Sequence, residues 1–264
     1  MARSSRPIQH MYDHFSEVAA SYNKIRTTDL EPILYIKSKL EGHGTVDAVD
    51  IGCGGGRYSL LLLQHIPRLH LICNDVNASM VAETTELLRA HGIKNFSTIQ
   101  SDIAHLTLRD SSLDCILTFN AIHHFDPTVL LEKATRALRA DGYVFVYTRL
   151  RSQNARSIWG QFFPGFSETE ERLYSLSDVE RWGTLRDDLT LESVETFRFK
   201  RCATLSALTH QAHNKHYSTF SLYSAEVFDH ALEEFERRIR QHFSDKSQAE
   251  WFDENVMVVL KKSQ

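Results

Sequence analysis

Residues 46–58 read V-D-A-V-D-I-G-C-G-G-G-R-Y. An apolar run closes at Asp50, glycines fall at 52, 54, 55 and 56, and a second apolar stretch opens at Leu60. Glycine admits positive φ and lets another group come close to the main chain. A strand, a glycine turn and a helix start in this order form the cradle for a nucleoside-bearing cofactor at the carboxyl edge of a parallel sheet. A bare strand-to-helix turn would use glycine as well, so the spacing has to be tested. The dinucleotide fingerprint needs a third glycine, which permits close helix–strand packing. Counted from Gly52 that slot is Arg57, and counted from Gly54 it is Ser59. No G-K-[ST] follows, so a phosphate-cradling P-loop is excluded. What remains is D-x-G-x-G-x-G, carried by Asp50, Gly52, Gly54 and Gly56.

The surrounding pattern predicts an α/β fold. Strands are expected over 46–51, 69–74, 96–100, 113–119 and 143–147, with helices over 58–65, 78–91 and 127–139 between them. Asp126 can cap the last of these helices, Pro127 suits its first position, and Gly142 lies past its end. Helices over 9–22 and 31–40 precede the sheet and would pack over its cofactor edge. After Tyr147 the alternation breaks. Further strands are expected at 191–200 and 255–260, with a largely helical stretch, 203–242, between them. The chain thus divides into cap helices (1–45), a cofactor-binding core (46–148) and a remainder rich in aromatic helices (149–264), all within one domain of 264 residues.

Composition narrows the class. No apolar run approaches the ~18 residues of a membrane span, and M-A-R-S-S-R-P-I-Q-H lacks the apolar core of a secretory signal. Four cysteines without a C-x-x-C pair fit a reduced, cytoplasmic protein, with Cys53, Cys73 and Cys115 acting as small hydrophobes. A net charge of −4 gives a nucleic-acid partner no support beyond a local patch, such as the arginines in 136–156. The sequence carries no signal for an oligomer.

Further landmarks follow the glycine loop. The second strand segment, L-H-L-I-C-N-D-V-N-A-S-M, ends at Asp75, 25 residues after Asp50. Capping of the next helix can fall to Asn77 or Ser79, which leaves that carboxylate for another use. Asp102 and apolar Ile103 come 27 residues beyond Asp75, Asn120 closes the fourth strand in F-N-A-I-H-H-F, and L-R-A-D-G-Y introduces the fifth. Ahead of the sheet stands M-Y-D-H-F-S-E-V-A-A-S-Y-N-K-I-R. With these motifs in order, residues 10–148 resemble the class I S-adenosylmethionine-dependent methyltransferases, in particular their small-molecule, type 11-like members.

The resemblance implies a doubly wound, mostly parallel, seven-stranded sheet with helical insertions forming a lid. It implies S-adenosylmethionine as methyl donor and S-adenosylhomocysteine as product. On its pattern Asp50, Gly52, Cys53 and Gly54 form the loop, Asp75 takes the ribose hydroxyls, and Val76 and Met80 also bind the cofactor. Asp102 accepts from the adenine amino group beside Ile103, Asn120 sits at the fourth strand end, and Tyr22 and Arg26 come from the covering helix. Two departures stand out: Asp141 replaces a glycine and no proline is present before the fifth strand, and about 50 residues separate the last two strands, where the family has a short hairpin.

The chemistry implied is in-line methyl transfer, which asks mainly for positioning. A base is needed only for an acceptor that carries a proton. His124 and His123 are the candidates, with structural packing as the alternative, and Tyr12 and Tyr22 could shape the methyl site. His210, His213 and His216 lack an acid or cysteine to complete a metal site, so no metal is expected. Trp159, Phe162, Phe163, Phe166, Tyr217, Phe220 and Tyr223 read first as the core of the insertion and second as an acceptor pocket. Arg149 and Arg151 would meet an anionic acceptor if they faced the cleft. No [DNS]-P-P-[YF] motif follows the fourth strand, which argues against amino methylation of nucleic acid. A small-molecule acceptor is therefore expected, with RNA as the second reading and a non-catalytic binding subunit as the third.

Overall fold

The computed structural model describes residues 27–243 and 248–263. The predicted helix over 9–22, with Tyr12, Tyr22 and Arg26, lies outside the described residues.

The described chain runs α1 (Glu31–Lys39), β1 (Val46–Ile51), α2 (Arg57–His65), β2 (Leu69–Asp75), α3 (Ala78–Ala90), β3 (Phe96–Gln100), β4 (Leu113–Phe119), α4 (Pro127–Ala137) and β5 (Leu138–Thr148). It continues through α5 (Arg151–Arg156), α6 (Ile158–Phe162), α7 (Phe166–Thr169), α8 (Leu176–Trp182), β6 (Leu189–Ala203), α9 (Leu205–His213), α10 (Ala225–His242) and β7 (Ala249–Lys262). The seven strands lie in the order β3-β2-β1-β4-β5-β7-β6. Pairings β1–β2, β1–β4, β2–β3 and β4–β5 are parallel, and β5–β7 is antiparallel. This is the doubly wound, mostly parallel architecture expected from the alternation of strands and helices, with the chain reversing between β1 and β4.

The chain forms two compact units. The first, a sheet unit, comprises described residues 27–148, 174–197 and 256–263; the second, a helical unit, comprises 149–173, 198–243 and 248–255. The boundary falls inside β6 and β7.

In the sheet unit, β4 is buried along all seven residues, as a central strand covered on both faces must be. Ile33 and Ile36 of α1 and Leu62 of α2 pack with Ala48, Leu71, Cys115, Leu117, Phe145 and Val259 into one apolar cluster. At the amino ends of the strands, Arg139 donates to Asp114 Oδ2 at 2.7 Å and to Asp47 Oδ2 at 2.9 Å. Asp114 Oδ2 also accepts from the Asp47 backbone N–H. One guanidinium thus clasps β1, β4 and β5 where their order is set.

The caps follow the sequence. Asn77 accepts from the backbone of Ser79 and Met80 at the start of α3, and Asp126 accepts from Thr128 N at the start of α4. The end of α4 differs from expectation. It stops at Ala137, and Leu138 and Arg139 open β5, where Leu138 pairs with Leu113 before the register shifts. Asp141 takes the left-handed conformation there, with φ 60. Gly142 serves instead as the close-approach residue, since a Cβ on it would lie 2.9 Å from Arg139 O and 3.1 Å from Asp114 O. β6 and β7 also outrun their predicted 191–200 and 255–260. The added ends of β7 carry Glu250, Asp253, Glu254, Lys261 and Lys262, so hydropathy gives them no strand signal.

The helical unit is held by aromatic rings. Trp159 stacks on Phe235 at 4.9 Å and meets Phe220 edge-on at 5.2 Å, and Phe163 and Phe166 pack around Phe220. Truncating such a residue to alanine costs ~3–5 kcal/mol in a typical core. A buried carboxylate, Glu170, is fully engaged by Arg172 and by the Thr219 hydroxyl.

Candidate functional site

The sequence-predicted ligands among the described residues lie at the carboxyl ends of β1, β2, β3 and β4 in the sheet unit. The loop after β1 is left-handed at three glycines: Gly52 at φ 72, Gly54 at φ 54 and Gly56 at φ 77. Its shape is fixed from several sides. Gly52 N and Cys53 N both donate to Asn74 O, at 2.8 and 2.9 Å, and Gly56 N donates to Cys53 O. A Cβ at Gly52 would stand 2.6 Å from the Ala121 Cβ, so the backbone itself must pass there.

Asp75 ends β2 and turns back on this loop. Its Oδ2 accepts from Gly54 N at 2.9 Å and its Oδ1 from Asn77 N at 2.9 Å. The helix cap has gone to Asn77, as the sequence allows, but Asp75 does a second job by anchoring the loop. Burial raises its pKa above the usual carboxylate value, while the backbone N–H donors oppose the shift. Each carboxylate oxygen retains an acceptor lone pair for hydroxyls.

Asp50 is the most constrained group. It is 1 % exposed; Oδ2 accepts from the Ser59 hydroxyl at 2.6 Å, and Oδ1 has no partner. Desolvation pushes its pKa up to about 7, the Ser59 hydrogen bond lowers it, and the nearby Asp75 charge raises it. An unpartnered buried acceptor is costly, of order 1–3 kcal/mol, and marks a place where a donor is wanted. Cys53 is held as a thiol, its pKa raised by hydrogen bonding to Cys73 and by burial.

The remaining predicted residues have distinct settings. Val76 is 45 % exposed beside Asp75, an unusual state for valine, whereas Met80 and Ile103 are buried. Asp102 is exposed and accepts from Ala104 N at 2.7 Å. Asn120 adopts φ 53 at the end of β4, and its N–H donates to Tyr147 O at 2.7 Å. His123 and His124 follow in a 3-10 turn, Ile122–His124, with ring centroids 4.0 Å apart. Tyr58 stacks on Phe119 of β4 at 4.4 Å and meets Tyr147 of β5 edge-on.

Three site-building residues escape sequence reading. Ser59 is a lone hydroxyl in an apolar run, Thr84 sits in α3 and donates to Gly54 O at 2.6 Å, and Asn74 donates through Nδ2 to Ile99 O and Ser101 O. Asn74 and Ser59 carried a weak signal, as polar residues inside apolar stretches. Thr84 carried none.

In the helical unit, Trp159, Phe163, Phe166 and Phe220 are buried against one another. Arg149 pairs with Asp253 at 3.0 Å and lies over the Tyr217 ring, and Arg151 donates to Leu173 O. His210 and His213 are exposed on α9, while His216 is buried with Nδ1 3.1 Å from Gln211 O. Among the described residues no three His, Cys, Asp or Glu side chains converge on a metal position, and no helix is long and apolar enough to cross a membrane.

These features fit S-adenosylmethionine: a backbone cradle that side chains would fill, a carboxylate with open lone pairs one strand away, and an apolar residue after each of Asp75 and Asp102. Residues 49–146 match the family model described as a methyltransferase domain. A curated relative, malonyl-[acyl-carrier protein] O-methyltransferase of Dechloromonas aromatica, is 27 % identical over 131 residues, 49 % of this chain and 47 % of its own length. The matched part therefore spans about half of that relative. Among solved structures, the [4+2]-cyclase SpnF aligns with TM-score 0.64 at 14 % identity, covering 100 % of this chain and 97 % of its own. Geranyl diphosphate C-methyltransferase from Streptomyces coelicolor, solved with S-adenosyl-L-homocysteine, aligns with TM-score 0.54 at 13 % identity, over 87 % of this chain and 74 % of its own.

Proposed function

Because the chain belongs, through residues 49–146, to the class I S-adenosylmethionine-dependent methyltransferases, we propose that it transfers a methyl group from S-adenosylmethionine to a small-molecule acceptor. The observation that carries this reading is the glycine loop closed on Asp75, with Gly54 N donating to Asp75 Oδ2 at 2.9 Å. That contact sets a ribose-binding carboxylate directly against the backbone cradle.

The donor supplies a methyl group activated by its sulfonium. The protein's part is to hold donor and acceptor in line, which is worth several kcal/mol when the reacting atoms are pre-aligned. Asp75 accepts from the two ribose hydroxyls, and Gly52, Cys53 and Gly54 offer a backbone surface without side-chain obstruction. Asp102 accepts from the adenine amino group, with Val76, Met80 and Ile103 packing around the ring. Asp50 offers its unpartnered oxygen behind the loop. Asn120, fixed by Tyr147 O, turns the chain at the edge where the methyl is delivered, and His124 with His123 supplies a base for a protonated acceptor.

A small acceptor is supported by two observations. A curated relative is named for O-methylation of malonyl-[acyl-carrier protein] and a structural neighbour for C-methylation of geranyl diphosphate, which supports an acceptor group of that size here. Four of the five arginines in 136–156, which could have favoured RNA, also meet carboxylates: Arg136 faces Asp110, Arg139 holds Asp47 and Asp114, Arg149 pairs with Asp253, and Arg156 pairs with Glu254, while Arg151 donates to Leu173 O. The charge of those four is offset locally, which leaves less for a phosphate backbone.

Thermal-shift titration tests the cofactor. Stabilisation by both S-adenosylmethionine and S-adenosylhomocysteine is expected, about 2.7 kcal/mol at a hundredfold excess over Kd; silence to both sinks the proposal. A second reading is suggested by the occurrence of this fold in a [4+2]-cyclase: that the present chain binds the cofactor without transferring methyl. Methyl-labelled donor, offered with separate small-metabolite and RNA fractions, distinguishes the cases. Label should enter the small-metabolite fraction.

A further inference from the structure

Two threonines lie side by side in α3 and behave differently. Thr85 follows the habit of helical threonines, donating its hydroxyl to the carbonyl four residues back, Val81 O, at 2.8 Å. Thr84 does not. Its hydroxyl donates to Gly54 O at 2.6 Å, 30 residues away in the glycine loop. The side chain is wholly buried. It also sets the shape of the space beside the loop: a Cβ on Gly56 would lie 2.9 Å from both Thr84 Cγ2 and Thr84 Oγ1.

Gly54 is therefore held on both sides of its Cα. Its N–H donates to Asp75 Oδ2, and its C=O accepts from Thr84. This matters because Gly54 and Gly55 lack side chains, and the peptide between them can otherwise rotate through conformations closed to other residues. Ordering such a segment carries a cost in conformational entropy. A loop ordered before the ligand arrives does not charge that cost to binding.

Resting on the cofactor reading above, we propose that Thr84 is a positioning residue for the cofactor, acting through the Gly54 carbonyl. Its hydroxyl fixes the Gly54–Gly55 peptide, and its side chain crowds position 56, where a Cβ would meet both Cγ2 and Oγ1 at 2.9 Å. It touches the loop, and the loop touches the ligand.

The test uses the full chain and S-adenosylhomocysteine, with calorimetry below the melting temperature of every variant. Thr84→Val keeps the shape and removes the hydroxyl, and Thr84→Ser keeps the hydroxyl and removes the methyl. Thr84→Val is expected to weaken binding about tenfold, equivalent to ~1.4 kcal/mol, while Thr84→Ser stays within about threefold of wild type. A merely structural role would lower both melting temperatures and leave the affinity of the folded protein alone. Should the valine chain fail to fold, Thr84→Ala reads the same lost hydroxyl. Equal affinity in Thr84→Val and wild type overturns the proposal, and so does equal weakening by valine and serine. A wild-type chain that binds no S-adenosylhomocysteine overturns the cofactor reading itself, and this proposal with it.

Discussion

The Ser59 hydroxyl donates to Asp50 at 2.6 Å, and it is the only hydrogen bond that the buried Asp50 carboxyl receives among the described residues. One donor does not offset burial of a charge, so the group's pKa stands at about 7 against 3.8 in an exposed carboxylate. The folded chain then holds a proton between those values that the unfolded chain has released. Folding stability contributed by Asp50 is complete below pH ~4 and lost as pH rises toward 7, at most about 4 kcal/mol for a gap of this size. Asp50→Asn removes the titration. Denaturant midpoints measured from pH 5 to 8 should fall less steeply in the variant than in wild type. Parallel curves would mean that Asp50 stays ionised in the fold.

The turn before β5 yields a contrast between neighbours. Asp141 is left-handed and its carboxylate meets Lys261 at 3.0 Å on the surface. Asp141→Gly relieves the left-handed strain, loses a weak exposed ion pair and adds backbone freedom to the unfolded chain, so stability should change by less than about 1 kcal/mol. Gly142→Ala meets two backbone carbonyls that cannot step aside, and should cost about 2 kcal/mol or more. Urea melts of the two variants decide it. Equal effects would place the constraint elsewhere.

That pair also marks how far the sequence reads. The strand–helix alternation, the caps at Asn77 and Asp126, and the strand ends at Asp75 and Asn120 all follow from local rules: apolar periodicity, short polar caps, and an acid or amide where apolar runs stop. The L-R-A-D-G-Y turn announced a glycine, and local rules gave Gly142 the turn. Its actual constraint is the approach of Asp114 O from another strand, which no window of sequence contains. Thr84 is the same case, a residue whose partner lies 30 positions away. β7 exceeds its predicted length because charged side chains such as Glu250, Asp253, Lys261 and Lys262 hide the strand ends from hydropathy. Arg139 looked like the tail of a helix, yet it reaches Asp47, 92 positions back, to clasp three strands.

Asp75 is the sharpest probe of the donor site. It accepts from Gly54 N, and its free lone pairs would take both ribose hydroxyls. Asp75→Ala removes these together, and two hydrogen bonds to a charged acceptor are worth ~3 kcal/mol or more. S-adenosylhomocysteine affinity should fall at least a hundredfold by calorimetry. Asp102→Ala, exposed and bound only to its own turn, should lose less, about tenfold. Unchanged affinity in Asp75→Ala would place the ribose elsewhere.

His124 is the base proposed for the acceptor chemistry. It sits with His123 in the turn Ile122–His124, directly after the Asn120 backbone is pinned to Tyr147 O. The turn is therefore placed by β4 and β5 rather than by a loose loop. An imidazole nitrogen placed beside the acceptor would take the proton of an attacking hydroxyl or thiol. His124→Ala should lower turnover about a hundredfold or more and abolish the acidic limb of the pH–rate profile. S-adenosylhomocysteine affinity should hold, since the ring is assigned to the acceptor. His123→Ala separates the two rings: with centroids 4.0 Å apart, removing one frees the other to shift, and a loss of severalfold is expected. Full turnover in His124→Ala, with the acidic limb intact, would remove the base and leave the acceptor to react without proton transfer.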